Sequence, residues 1–179
     1  MIIKTKRLTL RPMKRGYLKS VCRYALDKEI TVYMMNLPCD DEAEVLRYLT
    51  KCEDEQKKKQ PMFFEFAVHL GNEHIGAASL YYEGSPDPFS CGELGWIFDK
   101  EFHGMGYATE AAQGIISTFH EKTGLRRFIA HCDSENAASA RVMEKLGMKL
   151  VSVASGRKNR SSDELRQECM YELLLPASE

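Results

Sequence analysis

The 179-residue sequence lacks the features that mark several protein classes. No apolar run approaches the roughly 18 residues that cross a bilayer. The opening MIIKTKRLTLRPM reaches Lys4 before an apolar segment of about 7–15 residues, as in a secretory leader, has room to form. A cytoplasmic protein without a membrane partner is expected. An excess of one charge is also missing: 25 Lys+Arg stand against 26 Asp+Glu, which argues against the basic stripe of a nucleic-acid binder. The one basic run, Lys57–Lys59, follows Glu53-Asp54-Glu55 and reads as a solvated helix end. Clustered thiols are absent. Cys22, Cys39, Cys52, Cys91, Cys132 and Cys169 are scattered without a C-x-x-C pair, so free, mostly buried thiols are expected and no metal. The five histidines, His69, His74, His103, His120 and His131, show neither triad nor metal spacing. Repeats and linkers are lacking too, and the length suits one domain over 1–179.

What is present is a changing hydrophobic period. Thr5–Met13 alternates, with Leu8 and Leu10 on one side, and predicts a strand stopped by Pro12. Tyr17, Leu18, Val21, Tyr24 and Ala25 have the spacing of an amphipathic helix over 14–27. Asp40-Asp41-Glu42 suits the start of a second helix running to about Lys58. Met62–Leu70 and His74–Tyr82 read as a hairpin around Gly71-Asn72, followed by a Gly/Ser/Pro loop over 83–90. Further strands are expected at 93–98, 126–131, 149–154 and 168–175, with helices at 108–122 and 135–146; Gly147 fits the residue after a helix end. The charged segment SGRKNRSSDEL reads as a loop between the last two strands. The pattern predicts an α/β (α+β) domain: a mixed, mostly antiparallel sheet of about seven strands flanked by about four helices.

Gly104 and Gly106 in WIFDKEFHGMGYATEAAQGIISTFH sit between a strand and a helix. They serve either as turn punctuation or as a bed for an anion, since the first N–H groups of a helix are unpaired and glycine lets a phosphate approach them. Tyr107 follows Gly106 where a nucleoside-triphosphatase loop has its lysine, and Thr109 stands where a dinucleotide motif has its third glycine. Downstream, Asn136 and Ser139 open a second helix after a strand; they read as caps, or as contacts to a ligand shared by both helix starts.

Three stretches, IIKTKRLTLRPM, GELGWIFDKEFHGMGYATEAAQGIISTF and HCDSENAASARVMEKLGMKL, together resemble a GNAT-superfamily N-acetyltransferase. Within it they are similar to the RimJ/RimL-like branch, which acetylates protein N-terminal amines. The resemblance runs over nearly the whole chain and implies acetyl-coenzyme A (acetyl-CoA) as cofactor. Its diphosphate loop, Gln/Arg-x-x-Gly-x-Gly/Ala, falls on His103, Gly106 and Ala108, with Gly104, Met105, Tyr107 and Thr109 around them. His103 departs from the usual Gln or Arg. The resemblance also puts the pantetheine arm along Trp96, Ile97 and Phe98, and Asn136 and Ser139 at the arm or the thiol end.

Acetyl transfer needs a neutral amine and a polarised thioester carbonyl. A backbone N–H on a bulged strand near Ile97 would serve the carbonyl. Glu93, on the strand that carries the cofactor, is the candidate base; its alternative is a charged strand edge facing solvent. Glu110 belongs to a first helical turn, where acids are favoured anyway, and Glu65 is a further possibility. Many GNAT enzymes carry a tyrosine seven positions after the asparagine; here that position is Met143, leaving Ser139, a water or no acid for the leaving thiolate. Cys132 reads as a buried structural thiol. The two N-terminal helices and the SGRKNRSSDEL loop would grip the acceptor, with Asp163 and Glu164 drawing a cationic amine. A protein N-terminus is the expected acceptor. A small amine (polyamine, amino acid or antibiotic) and a non-catalytic acetyl-CoA-binding module are the alternatives, and the chain is expected to be a monomer or homodimer.

Overall fold

The structure, a computed structural model, describes residues 1–84 and 90–176. Eight strands form one sheet: β1 Ile3–Lys4, β2 Leu8–Pro12, β3 Phe63–Leu70, β4 Glu73–Glu83, β5 Cys91–Phe98, β6 Arg127–Asp133, β7 Lys149–Lys158 and β8 Leu165–Leu174. Four α-helices accompany them: α1 Leu18–Ala25, α2 Glu42–Gln56, α3 Tyr107–Thr123 and α4 Ala137–Lys145. The strand order is β1-β2-β3-β4-β5-β6-β8-β7. Every neighbouring pair is antiparallel except β5 and β6, which are joined through α3 and run parallel, as a strand–helix–strand crossover requires.

The expected elements are present, with two differences of extent. The strand expected over Thr5–Met13 is a small hairpin. Ile3–Lys4 folds back on β2 because Thr5 closes the turn, its N–H donating to the Leu8 carbonyl (3.0 Å) while its hydroxyl accepts from the Leu8 N–H (3.0 Å). This adds the eighth strand. Pro12 ends β2 as expected, as its last residue opposite Phe66. The expected loop SGRKNRSSDEL is partly strand: β7 runs on to Lys158, β8 begins at Leu165, and the turn is confined to residues 159–164. Of the expected 83–90 loop, residues 85–89 lie outside the described residues.

Side-chain alternation along the strands gives the sheet two unlike faces. One face is apolar: Phe66, Leu80, Leu94 and Phe128 pack against Ile115, Ile116 and Phe119 of α3 and Met143 of α4. Fully burying each of these side chains contributes about 1.5–3 kcal/mol, so this layer anchors the sheet. The opposite face carries a smaller cluster, with Val21 and Tyr24 of α1 and Val45 and Leu49 of α2 over Phe63, Ala67 and Ala77. Between these residues and β6 the second face turns polar, with Glu65, Ser79, Tyr81, Glu93 and His131. α2 starts as its acidic opening implies: the Asp41 carboxylate accepts from the Glu44 N–H (2.7 Å) and the Glu44 carboxylate from the Asp40 N–H (2.7 Å).

Candidate active site

The sheet forks. β5 and β6 pair only at Cys91–Arg127, Gly92–Phe128 and Glu93–Ile129. Beyond Glu93, β5 stays with β4 as far as Phe98–Gly76, while β6 follows β8 as far as Asp133–Glu168. The edge of Leu94–Phe98 facing β6 therefore has no strand partner among the described residues. The bulge expected near Ile97 is not present, because β4 and β5 keep one register from Cys91 to Phe98. It is the fork, rather than a bulge, that frees the backbone.

At the root of the fork, His131 on β6 donates its Nδ1–H to Glu93 Oε1 on β5 (2.8 Å). This hydrogen bond and the carboxylate's charge raise the His131 pKa against the effect of partial burial. Both side chains are part-exposed to a cleft of about 670 Å³ walled by α1, α2, the segment between them and the inner strands. Asn136 and Ser139, at the start of α4, line the same cleft, and Asn136 Oδ1 accepts from the Ser139 N–H (3.1 Å).

One strand row further in, Glu65, Ser79 and Gly95 lie side by side on β3, β4 and β5. Glu65 is 7% exposed. Burial pushes its pKa up to about 7, against the opposing hydrogen bonds of the Tyr48 and Tyr81 hydroxyls. Because the folded value lies above the ordinary 4.5, the stability this group contributes is complete below that value and is lost as pH rises through about 7. Keeping this acid neutral to about pH 7 corresponds to on the order of 3 kcal/mol. Unfolding in denaturant at about pH 5 and about pH 9 should show a loss of this size, and Glu65→Gln should remove it.

The loop before α3 has Gly104 and Gly106 at φ 77° and 79°, a left-handed backbone that only glycine adopts readily. His103 folds back, its Nε2 within 2.8 Å of the Phe98 carbonyl, so its ring braces the loop. Arg7 fixes the other side. It bonds the Met105 carbonyl (3.0 Å), lies over the Tyr107 ring (4.5 Å) and pairs with Glu110 (2.6 Å). Glu110 also accepts from the Thr5 hydroxyl and the Arg7 N–H, which hold its pKa low. Glu110 thus clamps the first strands to α3.

A profile of the acetyltransferase (GNAT) domain family matches residues 7–149. The chain belongs to the GNAT acetyltransferases. The uncharacterized N-acetyltransferase YnaD of Bacillus subtilis (strain 168) is 30% identical over 149 residues, 83% of each protein. An acetyltransferase (GNAT family) from Bacillus anthracis has a similar structure, with a TM-score of 0.80 and 26% identity over 97% of this chain and 98% of that one. RimL, a ribosomal L7/L12 alpha-N-protein acetyltransferase solved in complex with coenzyme A, shares the fold with a TM-score of 0.82 at 17% identity, over 98% of each chain.

Within this GNAT framework the anticipated residues separate into three settings. Glu93, Trp96, Ile97, Asn136 and Ser139 meet at the cleft. Gly106 and Thr109 border a second groove of about 660 Å³ along the outer side of α3, with Thr5 and Lys145. Phe98 and Tyr107 have buried side chains in the apolar layer, His103 to Gly106 are exposed, and Ala108 is half-buried. Asp163 and Glu164 do not line the cleft; they pair with Lys158 and Arg166. Arg157 and Arg160 stand in their place. Arg157 bonds the Tyr33 carbonyl (2.8 Å), and Arg160 bonds the Asn36 carbonyl (3.4 Å) and Glu44 (2.7 Å), joining the β7–β8 turn to the segment after α1. Met143 is buried under the apolar face, so no side chain projects from it into the cleft. Cys132 borders the cleft, but burial pushes its pKa up to about 11 and it stays a thiol. The reading from residues missed His131 as the partner of Glu93. Only the parallel pairing of β5 with β6 brings those two together.

Proposed function

We propose that the chain is an acetyl-CoA-dependent N-acetyltransferase whose acceptor is a primary amine at a protein N-terminus, and that 1–179 acts as one domain. The fork is the observation that carries this reading: an unpaired strand edge beside a cleft, with a carboxylate–imidazole pair at its root. Three features fit the donor. The Leu94–Phe98 edge offers free backbone groups to the amides of a pantetheine arm. Gly104 and Gly106 leave the loop before α3 without Cβ atoms where a diphosphate would approach it: a Cβ at Gly104 would meet nothing within 4 Å, and the nearest atom to one at Gly106 is Arg7 Nη2, a cation suited to an anion. Asn136 and Ser139 line the cleft where α4 begins.

Bound acetyl-CoA supplies an acetyl group activated as a thioester. Glu93 takes the proton released as the amine nitrogen forms its bond to the acetyl carbon, and His131 Nδ1–H holds the carboxylate in place. An N-terminal α-amine, with a pKa near 8, needs little help to become neutral, whereas lysine at about 10.4 needs more. The Ser139 hydroxyl, taking the place of the missing tyrosine, would donate a hydrogen bond to the departing sulfur, and the proton taken up by Glu93 balances the charge of the thiolate once it passes on through water. A backbone N–H on the free edge of β5 steadies the carbonyl oxygen.

Thiol release from acetyl-CoA, measured against peptides with free and with blocked N-termini and against small amines, tests this reading. Release with free peptides alone is the expected result. Release with small amines alone would move the acceptor to that class. Cofactor binding without release for any acceptor would make the chain a non-catalytic binding module.

A further inference from the structure

The polar row on the second face of the sheet continues beyond the fork. Glu65 on β3 lies in a recess of the cleft with Tyr24 of α1, Tyr48 of α2 and Tyr81 of β4. We infer that this recess is a cation subsite, which holds a second positively charged group of the acceptor, an ammonium or guanidinium, while the amine to be acetylated stands at Glu93. The assignment rests on the proposed function for the position of the reacting amine.

Buried carboxylates elsewhere in the molecule have their counter-charges. Glu55 is bonded by Lys58 and Asp133 by Arg166. Glu65 has none: among the described residues no Lys, Arg or His pairs with it, and its neighbours are hydroxyls and a thiol. The groups that face it are Tyr24 from α1, Tyr48 and Cys52 from α2, and Tyr81 from β4, whose hydroxyl stands 3.3 Å from Oε2. All carry raised pKa values and stay neutral near pH 7. Isolating a carboxylate from water without a cation is costly, and Glu65 meets that cost by holding its proton up to about pH 7; a ligand that brings a cation displaces the proton and offsets the cost instead.

Tyr24 supplies an independent observation. It is 2% exposed, lines this recess, and its hydroxyl has no hydrogen-bond partner among the described residues. Buried hydroxyls are usually bonded, so a polar ligand is the natural partner. Its proximity to Glu65 shows in the effect of that carboxylate's charge on its acidity. Three tyrosine rings around one carboxylate also suit an ammonium or guanidinium, which is attracted to aromatic faces.

The spacing determines the size of the acceptor. Glu65 lies opposite Ser79 and Ser79 opposite Gly95, with Glu93 two residues along. Two strand spacings of about 4.8 Å and two residues of about 3.4 Å rise set the Glu65 and Glu93 Cα atoms about 12 Å apart. The floor between them is low, because Ser79 and Gly95 are small; a Cβ at Gly95 would sit only 2.7 Å from Ser79 Oγ. A chain the length of a lysine side chain fits this interval. Such a second charge belongs either to a free diamine or to a peptide whose first residue is basic.

Binding by calorimetry without acetyl-CoA separates the sources and does not depend on acetyl transfer. The probes are hexamethylenediamine against hexylamine, and a short peptide beginning with lysine against the same peptide beginning with norleucine. We expect the dication of at least one pair to bind about tenfold more tightly, in line with one charge-assisted hydrogen bond, and the discriminating pair names the source. Glu65→Gln should remove the discrimination while keeping a cooperative melt, and Tyr24→Phe, which deletes only a hydroxyl, should weaken dication binding several-fold. Equal binding within both pairs, or discrimination that survives Glu65→Gln, would overturn the subsite. Discrimination together with an absence of thiol release would leave the subsite standing and refute the catalytic reading instead.

Discussion

Gly106→Glu should lower the affinity for acetyl-CoA by at least about a hundredfold, with the protein still folded. Gly106 is the residue before α3 and has φ 79°, where an L-residue costs about 1–2 kcal/mol. The new side chain has room, since the nearest atom to a Cβ is Arg7 Nη2 at 3.6 Å. The loss therefore comes from charge. A carboxylate at the start of α3 would occupy the site proposed for the diphosphate and repel it; two like charges at about 4 Å in a partly screened site interact by roughly 4 kcal/mol. Gly106→Ala carries the backbone strain without the charge and should lose only a few-fold. Calorimetric titration with coenzyme A, alongside a thermal melt of each variant, checks both. Unaltered affinity in the glutamate variant would remove the diphosphate from this loop.

Glu93→Gln should reduce kcat/KM by about a hundredfold to a thousandfold, the usual contribution of a positioned base. It should also alter the pH profile in a definite direction. Glu93 holds the His131 pKa up, so His131 stays protonated to higher pH than a free imidazole. The stability gained from that pairing is present below the unfolded pKa and is lost as pH rises through the folded one. The pair has room for a substrate proton only once His131 is neutral, so the acid limb of the rate profile should follow the titration of His131. Glutamine cannot hold the imidazolium, and the limb should move to lower pH as the rate falls. Steady-state rates across pH with a fixed peptide acceptor give both quantities. An unshifted limb at wild-type rate would exclude Glu93 as the base.

The fold was legible where local chemistry decides it. Asp41 caps α2 and Gly124 ends α3 in the left-handed conformation, and the Leu8–Leu10 alternation sets the buried side of β2. Each of these is a decision among neighbours in the chain. The fork was illegible for the opposite reason. Glu93 and His131 are 38 residues apart, and nothing in either strand records that the two run parallel for three residue pairs and then part. The Tyr24–Glu65–Tyr81 recess likewise combines a helix and two strands that periodicity describes separately. Standing in a charged segment, Asp163 and Glu164 suggest by sequence alone a charge for the cleft. The strands on either side extend further than their composition indicates, and this turns those two side chains toward Lys158 and Arg166.

The arginine link from the end of β7 and the turn after it to the segment after α1 bears on the shape of the cleft. The family match ends at residue 149, before both Arg157 and Arg160. Those two side chains hold Tyr33, Asn36 and Glu44, which form the far wall of the cleft. The fork, its glycine loop and the three wall residues fall inside the matched region, whereas the two arginines that hold that wall fall outside it. A change at either arginine would therefore loosen that wall and leave the Glu93–His131 pair, held between β5 and β6, in place.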